Sequence, residues 1–263
     1  MPELPEVETV VRTLGPHLIG QTIARAEFRS RFVTPGDREE LGRRLVGRRI
    51  ESIERRGKFI WMKLDTGHLA VHLGMTGRLL FNGVEGPHTH GRFELADALL
   101  LYDDIRQFGR IEWSEGIPER IAALGPEPLE ISLEDFVARL SARSTKVKPL
   151  LLNQSFLAGL GNIYVDEALH RASIHPNTAS RGISRVRAAG LHQSIVEILR
   201  VAIEHRGSSI SDYVDADGQR GGFQVLHQVY GREGEPCMRC GTPIRRIVVA
   251  QRGTHYCPQC QRR

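Results

Sequence analysis

The stretch Met1-Pro2-Glu3-Leu4-Pro5-Glu6-Val7-Glu8 opens the chain, and the predicted fold and chemistry both start from it. From Leu4 to Leu18 apolar residues recur at helical spacing, which predicts one amphipathic helix ending near Gly15-Pro16 or Gly20. Its two prolines suit a helix start, and its first-turn acids suit the positive end of the helix dipole. By itself the stretch is therefore compatible with a purely structural role.

The same residues also hold a candidate nucleophile. Removal of the initiator methionine would leave the secondary amine of Pro2 directly before the carboxylate of Glu3. An α-amino group has an unperturbed pKa of roughly 7.7–8.0, so a useful fraction is neutral and nucleophilic near pH 7. Attack on an aldehyde-like carbon would give an iminium, which makes adjacent C–O bonds easier to break. Glu6 lies three residues after Glu3 and shares its helix face.

Length and charge favour two domains and a polyanionic partner. A chain of 263 residues, 40% of them hydrophobic, can form two ordinary cores. The net charge is +5, and basic residues concentrate in 43–58 and in 237–263, where six arginines occur without an acid. Two separate basic clusters favour nucleic acid as the partner. The N-terminus has no basic start and the chain no long apolar run, so neither a secretory signal nor a membrane span is expected, and we expect a cytoplasmic protein.

Residues 1–125 are predicted to form a β-rich domain. From residue 22 to residue 113, short runs rich in Ile, Val, Phe and Leu are separated by turn residues such as Gly57, Gly74 and Asn82-Gly83. The predicted strands are 48–55, 58–64, 68–73, 78–81, 91–95 and 98–102. Together with the first helix they predict a β-sandwich or flattened barrel.

Residues 131–225 are predicted to form a helical domain. Ser132 is placed to cap a first helix, with Asp135 three residues on. Further helices are predicted at 148–154, 163–172 and 184–205. The glycine-rich 156–162 reads as a tight two-turn link between two of them, because no strand precedes it as in a dinucleotide fingerprint. The polar loop 215–223 is expected to be a mobile surface connection outside the core.

All four cysteines lie in the last 27 residues, as Cys237-x2-Cys240 and Cys257-x2-Cys260. This spacing predicts one structural zinc ion in a finger over 229–263, in a reducing compartment, and four thiolates leave no open position for catalysis. A hairpin of 244–250 with 254–256 would present Arg252 at its tip for phosphate contact. The predicted fold class is therefore α+β: an N-terminal helix with a β-sandwich, then a helical domain with a helix-two-turns-helix and a zinc-finger hairpin.

Five motifs, in order along the chain, resemble those of the formamidopyrimidine-DNA glycosylases. They are Pro2-Glu3-Leu4-Pro5-Glu6-Val7-Glu8-Thr9, His72-Leu73-Gly74-Met75-Thr76-Gly77, Ile105-Arg106-Gln107-Phe108-Gly109, Gly159-Leu160-Gly161-Asn162-Ile163-Tyr164, and Val229-Tyr230-Gly231-Arg232 followed by the cysteines and Ala250-Gln251-Arg252. The resemblance spans nearly the whole chain. It implies a base-excision repair enzyme, both DNA glycosylase and abasic-site lyase, that acts as a monomer on duplex DNA containing oxidised purines or abasic sites.

The resemblance also implies roles for single residues. A base inside a duplex must be extruded before it can be attacked, and the gap must be filled. The family fills it with three side chains, which correspond here to Met75, Arg106 and Phe108. Gln107 stands where arginine or lysine is common in the family. The remaining implied binding residues are Lys58, His72, Lys148, Asn162 and Arg252 around the flipped nucleotide, and Gln219, Arg220, Gly221 and Gly222 in the loop that would cup an oxidised guanine.

The implied catalytic residues are Pro2, Glu3, Glu6 and Lys58. Pro2 would attack C1′ while Glu3 transfers a proton to the opening sugar, and Glu6 would orient or relay. The resulting iminium would lead to β- and then δ-elimination. No metal or organic cofactor enters this chemistry.

Three other functions are compatible with parts of the sequence. An endonuclease VIII-like enzyme would use the same amine on oxidised pyrimidines, although those enzymes typically have glycine where Leu4 stands here. A non-catalytic zinc-finger DNA-binding protein would not depend on a free N-terminal amine. A zinc-ribbon RNA-binding module would explain only the C-terminal part.

Overall fold

The structure is a computed structural model that describes residues 1–262. The chain folds as two compact units. Unit 1 contains Met1–Ala123 and Ile203–Gln224, and unit 2 contains Leu124–Ala202 and the chain from Val225 onward. None of the helices in the described part of the chain combines the length and the apolarity needed to cross a bilayer.

Unit 1 is a β-sandwich with helices. Its helices are α1 (Leu4–Leu18), α2 (Arg38–Leu45) and the single turn α3 (Glu119–Ala122). Its strands are β1 (Arg25–Phe28), β2 (Ile50–Arg56), β3 (Phe59–Leu64), β4 (His68–His72), β5 (Arg78–Phe81), β6 (Thr89–Glu94), β7 (Leu99–Asp103) and β8 (Arg110–Ser114). They form two antiparallel sheets of order β1-β6-β7-β5 and β2-β3-β4-β8.

One hydrophobic core joins both sheets of unit 1 to α1. Leu14 of α1, Ile60 of β3 and Tyr102 of β7 are all fully buried in it. Burial of each large apolar side chain is worth about 1.5–3 kcal/mol. The apolar face of α1 therefore fixes the start of the chain on the sandwich.

Unit 2 is helical and ends in a hairpin. Its helices are α4 (Leu133–Ser141), α5 (Val147–Leu152), α6 (Asn162–Arg171) and α7 (Arg185–Glu204), the last two residues of α7 being counted in unit 1. Its strands are β9 (Arg245–Val249) and β10 (Arg252–Tyr256). Between α5 and α6 the Gln154 side chain donates to the carbonyls of Leu152 and Leu160 and accepts from the Gly159 amide. One side chain thus fixes both turns of the predicted helix-two-turns-helix.

The predicted fold class is confirmed, and most elements lie within two residues of their predicted bounds. The Ser132 cap is present, since its hydroxyl accepts from the Asp135 amide at 3.1 Å. Strands β1 and β8 and helix α2 were not predicted. The two strands alternate charged and apolar residues but span only four and five residues, and α2 buries only Leu41, Gly42 and Leu45, so each periodic signal is short.

Loop 215–223 was expected to lie outside the core, but part of it belongs to a core. Asp215 is fully buried, and Ala216 and Phe223 are also buried. The whole segment 203–224 packs in unit 1. The division of the chain at 1–125, 131–225 and 229–263 stays a prediction.

Candidate functional site

The first residues of α1 are held by the carboxylate of Glu6. Pro2, Glu3 and Glu6 are all buried. One Glu6 oxygen accepts from the Glu3 amide at 2.8 Å, and the other accepts from the Ser208 amide at 2.7 Å. The Tyr213 hydroxyl donates to the Glu6 carbonyl at 3.2 Å. Glu6 therefore fixes the backbone immediately after Pro2 and ties it to segment 207–213.

Gly207 is required for this contact. Its φ is +77°, and a Cβ there would lie 2.5 Å from a Glu6 carboxylate oxygen. Any other residue would push the carboxylate away from the amides that it accepts from.

Lys58 and His72 lie together at the ends of adjacent strands. Lys58 directly precedes Phe59, which pairs with His72 across β3 and β4. Lys58 is buried, with 7% of its surface exposed. Burial first, and then the charge of Lys58, lower the pKa of His72 to about 4.

The same histidine has a defined tautomer. The Gly74 amide donates to Nδ1 of His72 at 3.1 Å, so the proton of the neutral ring lies on Nε2. At neutral pH His72 is therefore an uncharged donor, which suits a phosphate oxygen.

Two turns, 73–77 and 104–109, carry the side chains expected to intercalate; we call them the wedge turns. The buried Asp104 joins them, since it accepts from the Thr76 hydroxyl at 2.5 Å and from the Gly109 amide at 2.8 Å. Gly74 has φ +61°, and a Cβ there would lie 2.5 Å from the Phe108 carbonyl carbon. The close approach of the two turns thus requires a glycine.

The wedge turns expose large side chains. Met75 is 38% and Phe108 is 59% exposed, which is costly for apolar groups without a partner. The guanidinium carbon of Arg106 lies 4.6 Å from the centre of the Phe108 ring, a cation–π contact. Gln107 has φ +54° and accepts from the Ser30 hydroxyl at 2.6 Å, so its side chain supports the turn from behind.

Loop 215–222 is tied to the rest of unit 1 by hydrogen bonds. Asp215 accepts from the Arg206 guanidinium and from the amides of Asp217 and Gln219. The Gly221 amide donates to the Ser209 hydroxyl at 2.8 Å, and a Cβ on Gly221 would clash with the backbone of 206–207. Of the four predicted base-recognition residues, Gln219 and Arg220 are exposed, Gly221 is buried and Gly222 is intermediate.

Helix α6 holds the hairpin of unit 2 through buried polar groups. Lys148, which is fully buried, donates to Asp166 at 2.6 Å and to the Gly253 carbonyl at 3.2 Å. Asn162 donates to the same carbonyl at 2.9 Å, and the other Asp166 oxygen accepts from the His255 amide at 2.8 Å. In this arrangement the ammonium of Lys148 and the amide of Asn162 position the hairpin.

Arg252 is exposed, as predicted, but it does not form the hairpin tip. The tip is Ala250-Gln251, with φ values of +48° and +61°, and Arg252 begins β10 opposite Val249. A two-residue turn with both φ positive matches the twist of a hairpin.

The segment before the cysteines is anchored by Glu167. Its carboxylate is buried and accepts from the amides of Gln228, Val229 and Tyr230 at 2.8–2.9 Å. Burial raises the pKa of Glu167, and the three amide bonds oppose that shift.

The four cysteines fit a zinc ion. Their sulfurs lie within 4.8 Å of one another, with Cys240 at 3.5 Å from both Cys257 and Cys260. A tetrahedron with Zn–S bonds of about 2.3 Å has edges of about 3.8 Å, whereas a disulfide needs about 2.05 Å. Four sulfurs fill the coordination sphere, so the ion would supply folding free energy and no chemistry.

The supporting carboxylates Asp104, Asp166, Glu167 and Asp215 were not predicted from the sequence. Asp166-Glu167 sits between apolar residues of a predicted helix, and a buried carboxylate must find donors. That signal was available, but the identity of the donors depends on tertiary contacts.

Comparison with known proteins covers the whole chain. Family models match at residues 1–111 (formamidopyrimidine-DNA glycosylase N-terminal domain), 124–214 (formamidopyrimidine-DNA glycosylase H2TH domain) and 234–263 (zinc finger found in FPG and IleRS). A formamidopyrimidine-DNA glycosylase of Solibacter usitatus is 57% identical, with all of both chains covered. The chain belongs to the formamidopyrimidine-DNA glycosylase family.

Solved structures of this family agree with the fold. MutM (FPG) of Thermus thermophilus has a TM-score of 0.91 at 42% identity, covering 99% of this chain and 98% of that one. Lactococcus lactis Fpg in complex with abasic-site DNA has a TM-score of 0.92 at 39% identity, covering 99% and 100%. In line with the zinc-finger model and the sulfur cluster, this family member carries one structural zinc ion.

Proposed function

We propose that the chain removes oxidised purines from duplex DNA and then cleaves the strand, using the nitrogen of Pro2 as its nucleophile. The glycosylase and lyase activities follow from family membership over the full length. The observation that supports Pro2 as the nucleophile is the hydrogen bond that the Glu6 carboxylate accepts from the Glu3 amide at 2.8 Å. It fixes the peptide next to the Pro2 nitrogen at a buried helix start.

The first step exchanges the base for the enzyme. After removal of Met1, the neutral Pro2 amine attacks C1′, and the C1′–N bond to the damaged base breaks, with its electron pair leaving on the base. The proton that the amine loses neutralises the departing base. Glu3 donates a proton to the ring oxygen, and cleavage of the C1′–O bond leaves an iminium between Pro2 and C1′. The damaged nucleotide must be outside the stack for the amine to reach it, and extrusion costs least for a damaged base.

The second stage uses the iminium as an electron sink. Loss of a C2′ proton expels the 3′ phosphate, and a second elimination expels the 5′ phosphate. Hydrolysis then returns the free amine and leaves a one-nucleotide gap with phosphate at both ends. The protein needs only groups that move protons in this stage, and Glu3 is the nearest to the amine in sequence.

Each unit offers candidate contacts to DNA. In unit 1, Met75, Arg106 and Phe108 fill the gap, Lys58 and His72 contact phosphates, and 219–222 cup the base. In unit 2, Arg252 and Asn162 contact phosphates, and Lys148 acts through the hairpin that it positions. The enzyme would act as a monomer in the cytoplasm, where its thiolates stay reduced and the chromosomal DNA lies.

Borohydride trapping tests this proposal. Protein mixed with a duplex carrying 8-oxoguanine opposite cytosine should give a covalent adduct on reduction, and peptide mapping should locate it on Pro2. Pro2→Gly should lose most of the adduct, while the matched variant Pro5→Gly keeps it. An adduct mapped to a lysine, or equal trapping by both variants, would contradict the assignment.

A further inference from the structure

Helix α6 places a buried histidine beside the four cysteines. His170 lies in the last turn of α6 and is 0% exposed. Its Nε2 lies 3.5 Å from Sγ of Cys237, a suitable separation for an N–H···S hydrogen bond because sulfur is larger than oxygen. Its Nδ1 is buried and has no hydrogen-bond partner among residues 1–262.

The protonation of the ring follows from what it faces. A metal-bound cysteine is a thiolate, which carries no proton and can only accept. The four sulfurs already complete a tetrahedral set, so His170 is not needed as a ligand. The nitrogen facing Cys237 must therefore be the donor, and Nδ1 keeps a lone pair.

A second side chain joins the same part of the finger to the same helix. Arg239 lies between the first two cysteines, and its guanidinium donates to the carbonyls of His170 and Arg171 at 3.1 Å. A cation at the last carbonyls of a helix also favours the helix dipole. The loop Cys237–Cys240 is thus seated on the C-terminal end of α6.

We propose that His170 is a positioning residue of the zinc site, whose Nε2–H donates to the Cys237 thiolate and strengthens the binding of zinc. Such a bond spreads the negative charge that four thiolates place on one ion, and it fixes the orientation of one ligand. An apolar side chain would fill the same space without burying two ring nitrogens, so packing alone does not account for a histidine here. The proposal does not depend on the chemistry at Pro2.

Three variants separate the hydrogen bond from packing. His170→Phe keeps a ring and removes the donor, and His170→Gln keeps an N–H donor. His175→Phe is the matched control, because His175 is also buried and packs on the finger through the Tyr256 ring at 4.9 Å. Transfer of zinc to a chromogenic chelator should be about 10–100-fold more favourable for His170→Phe, and near the wild-type level for the other two.

Cobalt substitution gives a readout that packing would not change. A hydrogen bond stabilises the sulfur lone pair, so the thiolate-to-cobalt charge-transfer band of His170→Phe should move to lower energy, and that of His175→Phe should not. If His170→Phe retained zinc as well as the wild-type protein and its band were unshifted, the proposal would be overturned. Equal zinc loss by His170→Phe and His170→Gln would overturn it as well, because it would assign the effect to the shape of the ring.

The wild-type protein provides a test that needs no variant to fold. A long-range proton–nitrogen correlation spectrum of the zinc-loaded protein should give the pattern of a neutral His170 with its proton on Nε2. A proton on Nδ1 would overturn the proposal, since the ring could not then donate to Cys237.

Discussion

The two units position their functional groups by different means. In unit 1, Glu6 and Asp104 bind main-chain amides and a hydroxyl, so that loops close around a carboxylate. In unit 2, α6 uses a buried ion pair at its N-terminal half and a histidine beside a metal cluster at its end. The first arrangement is complete in the polypeptide alone, whereas the second is complete only when zinc is bound.

This difference separates two kinds of failure. Changes at the start of α1 should impair chemistry while DNA still binds, and changes in the zinc finger should impair DNA binding while the nucleophile stays in place. The expected effects range from complete loss of DNA binding to a small dependence on pH.

Removal of zinc should have the largest effect. The apparent binding free energy of a structural zinc ion, about 10–16 kcal/mol, is folding free energy, so chelation should unfold the finger from residue 229 onward and abolish duplex binding. Both tryptophans, Trp61 and Trp113, lie in unit 1. Tryptophan fluorescence should therefore stay unchanged while anisotropy of labelled DNA falls to the free value. Binding at full strength after chelation, or a fluorescence change as large as that of complete unfolding, would contradict the division.

Glu3→Gln should have the next largest effect, and on chemistry alone. An amide has the shape of the carboxyl group but cannot transfer the proton, so single-turnover base excision should slow by about a hundred- to ten-thousandfold. The dissociation constant for an abasic-site analogue should change less than about twofold. Glu8→Gln, a change of another acid of α1, serves as the control. A loss of affinity as large as the loss of rate would show that Glu3 supports binding instead.

The sequence predicted the metal-binding part of the molecule better than the buried residues that support the candidate site. The cysteine spacing is local in sequence and predicted the zinc site, whereas the roles of the wedge residues were implied only by the resemblance to the family and stay predictions. The supports are not local: Glu6 binds Ser208, and Lys148 binds Asp166 and Gly253. Nothing in the sequence around Lys148 or Asp166 indicates that the two residues pair, because they come together only through tertiary contacts.

Asp166→Asn tests the most consequential of these unpredicted interactions. It leaves the Lys148 ammonium buried without its counter-charge, which should cost about 3–5 kcal/mol of the stability of unit 2. Urea unfolding followed by circular dichroism, with tryptophan fluorescence reporting unit 1 separately, measures the destabilisation. The double variant Lys148→Met with Asp166→Leu should recover part of it. If the double variant is as unstable as the sum of both single changes, the pair is not coupled.

Arg252→Ala should have a smaller effect, on affinity without regard to damage. Removing one phosphate-binding guanidinium should weaken binding to damaged and undamaged duplexes alike and reduce the slope of log affinity against log salt by about one. Arg245→Ala, at the other end of the hairpin, is the matched control. A loss confined to damaged DNA would mean that Arg252 reads the lesion, and the assignment of lesion reading to unit 1 would fail.

His72 should give the smallest effect, because the strength of its phosphate contact should not depend on pH near neutrality. Because burial and Lys58 lower its pKa to about 4, His72 stays neutral from pH 8 to pH 6, and its phosphate contact should not vary there. Its folded pKa lies below the unfolded value of about 6.5, so the unfolded state takes up the proton first. Its contribution to stability is therefore full above about pH 6.5 and is lost as the pH falls toward 4. A ring-proton titration by NMR with a midpoint near 6.5 would contradict this expectation, because His72 would then be partly cationic in the neutral range and its phosphate contact would vary with pH.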